Sequence, residues 1–319
     1  MSDGANPTDR FTLSEDRDYD AWDPSPADSA AKDPSTKPLA PGLYLVATPI
    51  GNLEDITLRA LRVLRSVDRI ACEDTRQTAK LLSHFGITTP TISYHAHNES
   101  SRATELIEAL KAGGRIAIVS DAGMPGISDP GATIAAEAIA AGVTVYPIPG
   151  ANAALSALIA SGLPAESFTF HGFLPSKEGQ RRSVMEALRA RPTEHTTTAI
   201  FYETPHRIID ALADIVTIFG AHQRIVIARE LTKLHEEFLR GEAFVVLATL
   251  RARPSIRGEI VLLLDGTPSD AAAGPSLADE VETLMKSEGL SEKDALKSVA
   301  KSRGIGKSEA YREWQRSKR

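Results

Sequence analysis

The chain has 319 residues, 42% apolar, 24% charged and 5% aromatic, an ordinary globular make-up whose length argues for two or three domains. No run reaches the ~18 apolar residues of a membrane span, and no basic, then apolar, leader opens the chain, so a cytoplasmic protein is expected. A single cysteine, Cys72, excludes an internal disulfide framework and a cysteine-cluster metal site. The net charge of −6 hides a gradient: residues 1–40 carry −5, whereas residues 293–319 carry nine bases against three acids. A basic end on an acidic chain fits either a polyanionic partner or a plain solvated helix.

Residues 1–40, rich in Asp, Ser, Pro and Ala, show no apolar periodicity and read as a disordered acidic segment. From Pro41 onward, apolar runs at Leu43–Ala47, Arg69–Cys72, Ile92–Tyr94, Arg115–Val119 and Val143–Ile148 read as strands. They alternate with helical patterns at Thr57–Val67, Thr75–Phe85, Ser101–Ala112, Ala132–Ala141 and Asn152–Ser161. Gly86, Gly113 and Gly142 fall where helix C-terminal caps belong. Such alternation predicts an α/β domain over 41–163 built on a largely parallel sheet.

After Gly162-Leu163-Pro164 the rhythm loosens. Strands are expected at Phe168–Phe173, Thr198–Tyr202, Arg224–Arg229, Glu236–Arg240 and Glu259–Leu264, and helices at Gln180–Ala190, His206–Phe219 and Ala243–Arg251. This order predicts a mixed-sheet α+β domain over 164–266. Gly266–Gly274 reads as a linker, and 275–319 as three short helices (Ser276–Ser287, Ser291–Ser302, Lys307–Ser317) forming a basic helix-turn-helix-like appendage. Ser291 and Asp294 make an N-terminal capping pattern.

Ligands of an open parallel sheet bind beyond the carboxyl ends of its strands, so those loops carry the functional signal. Ala47–Asp55 is neither a G-x-G-x-x-G turn nor a P-loop. The loop Ser120-Asp121-Ala122-Gly123-Met124-Pro125-Gly126-Ile127-Ser128-Asp129-Pro130-Gly131 is longer than a connection needs. Its glycines permit close backbone approach and its prolines stiffen the rest. Pro147–Ala154 is another rigid corner. Three such loops on one sheet edge describe a cofactor cleft.

The runs Tyr44–Asp55, Glu73–Arg76, Tyr94–Glu99, Ser120–Gly131 and Pro149–Ala153 resemble the family of small-subunit ribosomal RNA cytidine 2′-O-methyltransferases. So do Phe170–Pro175, Phe201–Arg207, Arg229–Lys233 and Gly258–Val261, and the resemblance spans about 41–266. It implies a two-domain tetrapyrrole-methylase-like fold holding S-adenosylmethionine between the domains, usually as a homodimer, and acting on a cytidine ribose of 16S ribosomal RNA or the small subunit. On that resemblance Pro49, Gly51, Ser120, Asp121, Ala122, Gly123, Pro149, Gly150 and Ala151 would hold the methyl donor.

Displacement on a sulfonium needs alignment and help for a weak alcohol nucleophile, and no metal. Catalytic candidates are His206, Glu203, Lys233 and Glu73; histidine titrates nearest neutrality, so His206 is the candidate base, although a capping role suits it equally. Substrate contacts fall to Asp74, Arg76, His95, Asn98, Arg207 and Arg229; for Asp74 and Arg76 the plain alternative is a helix N-terminal acid and a surface arginine, and Arg229, Glu230 and Lys233 would hold RNA phosphate or pair among themselves. His95, His97 and Glu99 read first as substrate contacts, then as loop polarity and last as metal ligands. Tyr311 and Trp314 would stack on bases or pack a bundle. The competing functions are a tetrapyrrole or other small-molecule methylase on the same scaffold, and a non-enzymatic nucleic-acid-binding protein.

Overall fold

The computed structural model describes residues 38–95, 99–190, 196–266 and parts of 278–315, and Pro41–Arg319 is one unit. The acidic segment 1–37, His97, Asn98 and most of the Gly266–Gly274 linker lie outside the described residues.

Strands β1 (Gly42–Val46), β2 (Arg69–Cys72), β3 (Thr91–Ser93), β4 (Arg115–Val119) and β5 (Val145–Ile148) form a sheet ordered β3-β2-β4-β1-β5. Every pairing in it is parallel, as the near-continuous apolar strands required. Helices α1 (Leu58–Ser66), α2 (Thr75–His84), α3 (Glu99–Lys111) and α4 (Ala132–Ala140) connect the strands. Leu106 and Leu110 of α3 and Ile134 and Ala138 of α4 bury Leu43, Ile116 and Ile118 of the sheet. The helices start where short polar side chains stand ready: Thr57 Oγ1 accepts the Ala60 N–H at 3.0 Å, and Asp74 Oδ1 the Arg76 N–H at 2.8 Å. Gly86, Gly113 and Gly142 end helices at positive φ, the cap conformation expected of them.

The second half adds β6 (Phe168–Phe173), β7 (Thr198–Glu203), β8 (Arg224–Arg229), β9 (Glu237–Glu242) and β10 (Ile260–Leu264), ordered β6-β7-β10-β8-β9. Only β6–β7 is parallel, which makes this the mixed sheet anticipated. Its centre shows the period of two directly: Ile260, Leu262 and Leu264 pack with the helical layer, while Val261 and Leu263 face the opposite way. The helical layer is α6 (Glu178–Arg189), α7 (Ile208–Phe219) and α8 (Ala243–Arg251). The opposite face is covered by α5 (Ala153–Ser161), through Ala154, Ala157 and Leu158. A helix that precedes the boundary expected at 163 therefore packs with the sheet that follows it.

One local reading changes. Helix α7 begins at Ile208 with Arg207 as its cap, and not at His206. Pro205 therefore lies in a turn ahead of the helix, where the Thr204 carbonyl accepts the Arg207 and Ile208 N–H groups. Near the C-terminus, α9 (Glu292–Ser302) starts from Ser291, whose Oγ accepts the Asp294 N–H at 3.2 Å. Trp314 is buried with Val281, Leu296 and Val299, whereas Tyr311 is exposed, so packing claims the tryptophan. Among the described residues no helix is long and apolar enough to cross a membrane.

Candidate active site

The loops after the adjacent strands β4, β1 and β5 meet at one sheet edge and are fastened to each other. Thr48 and Gly123 exchange backbone hydrogen bonds at 2.9 and 3.1 Å, and Thr48 Oγ1 donates to the Ser120 carbonyl at 3.1 Å. Asn152 caps α5 by accepting the Leu155 N–H at 2.9 Å, which fixes the third corner. Gly150 is obligatory there, because a Cβ would come 2.9 Å from Ala47 Cβ.

Against this edge the second sheet closes a cavity of about 330 Å³, within the usual range for small-ligand sites. The first half contributes Ile50, Asp121, Ala122, Gly123 and Met124, with Asn152 and Ala153 from the third corner. Ile127, Ser128 and Asp129 extend the same wall. Across it stand Phe173, Tyr202, Glu203, Leu231 and Glu259. Phe173 reaches the wall because β6 carries a register irregularity between Phe170 and Phe173, which turns a strand-end ring outward; it stays 52% exposed and meets Tyr202 edge-on.

Four carboxylates line this largely apolar space, and three are engaged. Asp121 Oδ1 accepts the Asp74 N–H at 3.3 Å. Glu203, 2% exposed, has Oε1 held by Arg207 Nε at 2.9 Å and by the Thr204 N–H at 2.7 Å, while its buried Oε2 has no hydrogen-bond partner. Glu259 takes Lys233 Nζ at 2.9 Å. Asp129, half-buried, receives no hydrogen bond from a described residue. Burial, then the charges of Glu73 and Asp121, pushes its carboxyl up to about 6. Burial also raises the Tyr202 phenol, despite the Ala154 N–H bonded to it, so it remains a neutral hydroxyl.

A second device ties the halves together. Lys233 lies over Gly51, bonds Glu230 at 2.8 Å and Glu259 at 2.9 Å, and leaves no room for a Cβ at Gly51. Burial pulls the ammonium down, but those two carboxylates outweigh it and raise Lys233 overall; the lysine in turn lowers Glu230. The Asn52 N–H donates to Thr232 Oγ1 at 3.1 Å. Glu230 and Thr232 adopt φ of +53° and +66°, strain that non-glycine residues tolerate only where the surroundings impose it.

Of the residues singled out from the sequence, Asp121, Ala122, Gly123 and Glu203 line the cavity. Ser120, Pro49 and Gly51 shape the loops behind it, with Pro149, Gly150 and Ala151 at the corner ahead of α5. Arg207 and Lys233 are not among the lining residues but pair with Glu203 and Glu259, which are. Glu73 does not line the cavity, but its charge helps to raise the Asp129 carboxyl. His206 is exposed and outside the cavity, its Nε2 3.4 Å from Thr204 Oγ1. Asp74 and Arg76 pair outward, and the arginine's hydrogen bond holds the Asp74 carboxyl at about 2. His95 is half-buried beyond β3 and does not line the cavity, and Asn98 is not described. The Arg229 guanidinium is spent on Glu237 at 3.0 Å and on the Arg257 and His235 carbonyls. Asp129, Tyr202, Phe173 and Glu259 were not singled out. All four stand in motifs already noted, but only folding reveals what faces them.

The model of the tetrapyrrole (corrin/porphyrin) methylases matches residues 42–245. The "Ribosomal RNA small subunit methyltransferase I" of Halalkalibacterium halodurans is 54% identical over 224 residues, 70% of this chain and 75% of that protein. The chain belongs to this methyltransferase family. The protein of the same name in Synechocystis is 47% identical over 256 residues, 79% of this chain and 90% of its own length. The fold is shared more widely: a diphthine synthase crystal structure superimposes with a TM-score of 0.52 at 15% identity, covering 70% of this chain and 89% of that one. The family match includes β1–β9, and so takes in both sheets of the cavity.

Proposed function

We propose that this chain transfers the methyl group of S-adenosylmethionine to the ribose 2′-hydroxyl of a cytidine in 16S ribosomal RNA. The observation that carries the reading is the cavity itself: an apolar, carboxylate-lined space at the strand ends, in a chain about half identical to small-subunit ribosomal RNA methyltransferases. When bound, S-adenosylmethionine supplies a methyl group already activated by a sulfonium. The residues present fit such a donor. Ile50, Met124, Ile127 and Leu231 offer apolar contact, and the carboxylates complement a sulfonium and an ammonium.

Asp121, Ala122 and Gly123 form the donor's cradle, stiffened from behind by Pro49, Gly51, Ser120 and the Pro149–Ala151 corner. Glu203, fixed by Arg207, and Glu259, fixed by Lys233, set charge on the opposite wall; Asp74, Arg76 and His95 belong to the substrate side. The basic C-terminal helices suit RNA phosphates, since each neutralised phosphate releases counterions. The protein works in the cytoplasm, as a homodimer, on the small subunit or its RNA.

The test is purified full chain, methyl-labelled S-adenosylmethionine and unmethylated small subunits. A 2′-O-methyl group removes the nucleophile for alkaline cleavage of the next phosphodiester, so success appears as one protected cytidine in the hydrolysis ladder. Label entering a tetrapyrrole but no RNA would replace this reading with the small-molecule one. Failure to bind S-adenosylmethionine at all would favour a non-enzymatic RNA-binding protein.

A further inference from the structure

We infer that Asp129 is the catalytic residue that accepts the proton of the ribose hydroxyl, an assignment that rests on the methyl-transfer reading above. The new bond joins the ribose oxygen to the methyl carbon. The bond from that carbon to sulfur breaks with its electron pair left on sulfur, and the hydroxyl proton passes to an Asp129 carboxylate oxygen.

Three features of the cavity single out this group. Its competitors are engaged: Asp121 accepts the Asp74 N–H, Glu203 is paired with Arg207, and Glu259 shares Lys233 with Glu230. Asp129 lines the same wall with neither a cation nor a hydrogen bond from any described residue. His206, the base suggested by residue type, is exposed and outside the cavity.

The loop is also built to aim this carboxyl. Ser128, immediately before it, adopts φ +64°, a conformation costly for a residue with a Cβ. It is held there by a tight turn in which the Gly126 N–H bonds the Pro130 carbonyl at 3.2 Å and the Ile127 N–H bonds Met124 at 3.3 Å. On the far side, the irregular stretch of β6 brings Gly172 against Ser128 Oγ. A plain connection between a strand and a helix needs none of this; a backbone that carries a carboxylate at a cavity wall does.

The electrostatics agree with the geometry. Glu73 from the end of β2, Asp121 from the same loop and the neutral Tyr202 hydroxyl from β7 surround Asp129. Glu203 and Glu259 on the facing wall are each paired with a cation. A carboxyl moved up to about 6 is ionised at neutral pH yet basic enough to take a proton, which is the compromise general-base catalysis favours.

The experiment compares full-length wild type with Asp129→Asn and Asp129→Glu on small subunits. Asp129→Asn is expected to lower kcat by about 10²–10⁴-fold, the usual worth of a positioned base. Its calorimetric affinity for S-adenosylmethionine should stay within about threefold, and the fall in wild-type rate below about pH 6 should be absent from the residual activity. Asp129→Glu should recover part of the rate. Independently of turnover, carboxyl-labelled free wild type should show an aspartate titrating near 6 that Asp129→Asn lacks. An active wild type with Asp129→Asn within about fivefold of it, or a loss confined to donor affinity, overturns the assignment alone. A wild type that methylates no RNA overturns the functional reading and this inference with it.

Discussion

Replacing Arg207 by methionine keeps most of the side chain's apolar length and removes its charge. In the native protein the Glu203 side chain is 0% exposed, and the guanidinium approaches its Oε1 through Nε at 2.9 Å and through a second nitrogen at 2.7 Å. Without Arg207 that carboxylate keeps only the Thr204 N–H and hydroxyl on Oε1, and nothing on Oε2. Breaking a buried pair by removing one partner costs about 3–5 kcal/mol. Since 20% of the Arg207 side chain remains exposed, the lower figure of about 3 kcal/mol applies. At about 2–4 °C per kcal/mol this lowers the melting temperature by roughly 6–12 °C, measurable by circular dichroism or urea titration. The Glu203→Gln/Arg207→Met double variant removes the stranded charge and should recover most of the loss. A single-variant loss below about 1 kcal/mol, or a double variant no better than the single, would refute the idea that the cavity wall depends on this neutralised carboxylate.

Glu237 is held at about 2, chiefly by the Arg253 hydrogen bond and then by Arg229. A depressed carboxyl contributes stability that is present above its unfolded value of about 4.3 and lost as pH falls through about 2. The gap in urea midpoint between wild type and Glu237→Gln should therefore shrink between pH 5 and pH 2; a constant gap would contradict the pairing. Asp129 has the opposite sign: raised to about 6 in the fold, it favours the native state only below about 4 and opposes it above 6. Asp129→Asn should then melt higher than wild type at pH 8 and not at pH 4, and an equal offset at both would count against the burial described. Gly258→Ala places a Cβ into the Glu230 side chain at φ +93°, so it must displace the Glu230–Lys233–Glu259 group and the adjoining Leu231 wall. Calorimetry should show S-adenosylmethionine affinity falling at least tenfold, about 1.4 kcal/mol, and unchanged affinity would separate that group from the cavity.

The sheets were legible because their cause is local. Five apolar runs separated by helical periodicity admit little but a covered parallel sheet, and the described strands fall within a residue or two of their expected ends. The loops were legible too, since Ser120–Gly131 contains more glycine and proline than a connection requires. What the sequence withheld was partnership. Arg229 and His206 have the residue types of a substrate clamp and a base. Yet one is consumed by Glu237 and two carbonyls, and the other is exposed and does not line the cavity. Helix α5 gave no hint that its apolar face serves the later sheet, because a helical stripe records that it is buried and not against what.

The same reasoning explains why Asp129 was passed over among twelve residues quoted in full. A carboxylate's chemistry is set by which charges and donors fold against it, and Glu73, Asp121 and Tyr202 approach Asp129 from three separate segments of the chain. Cations claim Glu203 and Glu259 through an arginine four residues away and a lysine in another loop. Residue type alone would rank these acids equally. The fold makes them unequal by pairing the two on the far wall with cations and leaving Asp129, on the near wall, as the carboxylate to which no described residue donates a hydrogen bond. The backbone before Asp129, with Ser128 at positive φ, sets where on the near wall that carboxylate is carried, and burial there raises its affinity for a proton.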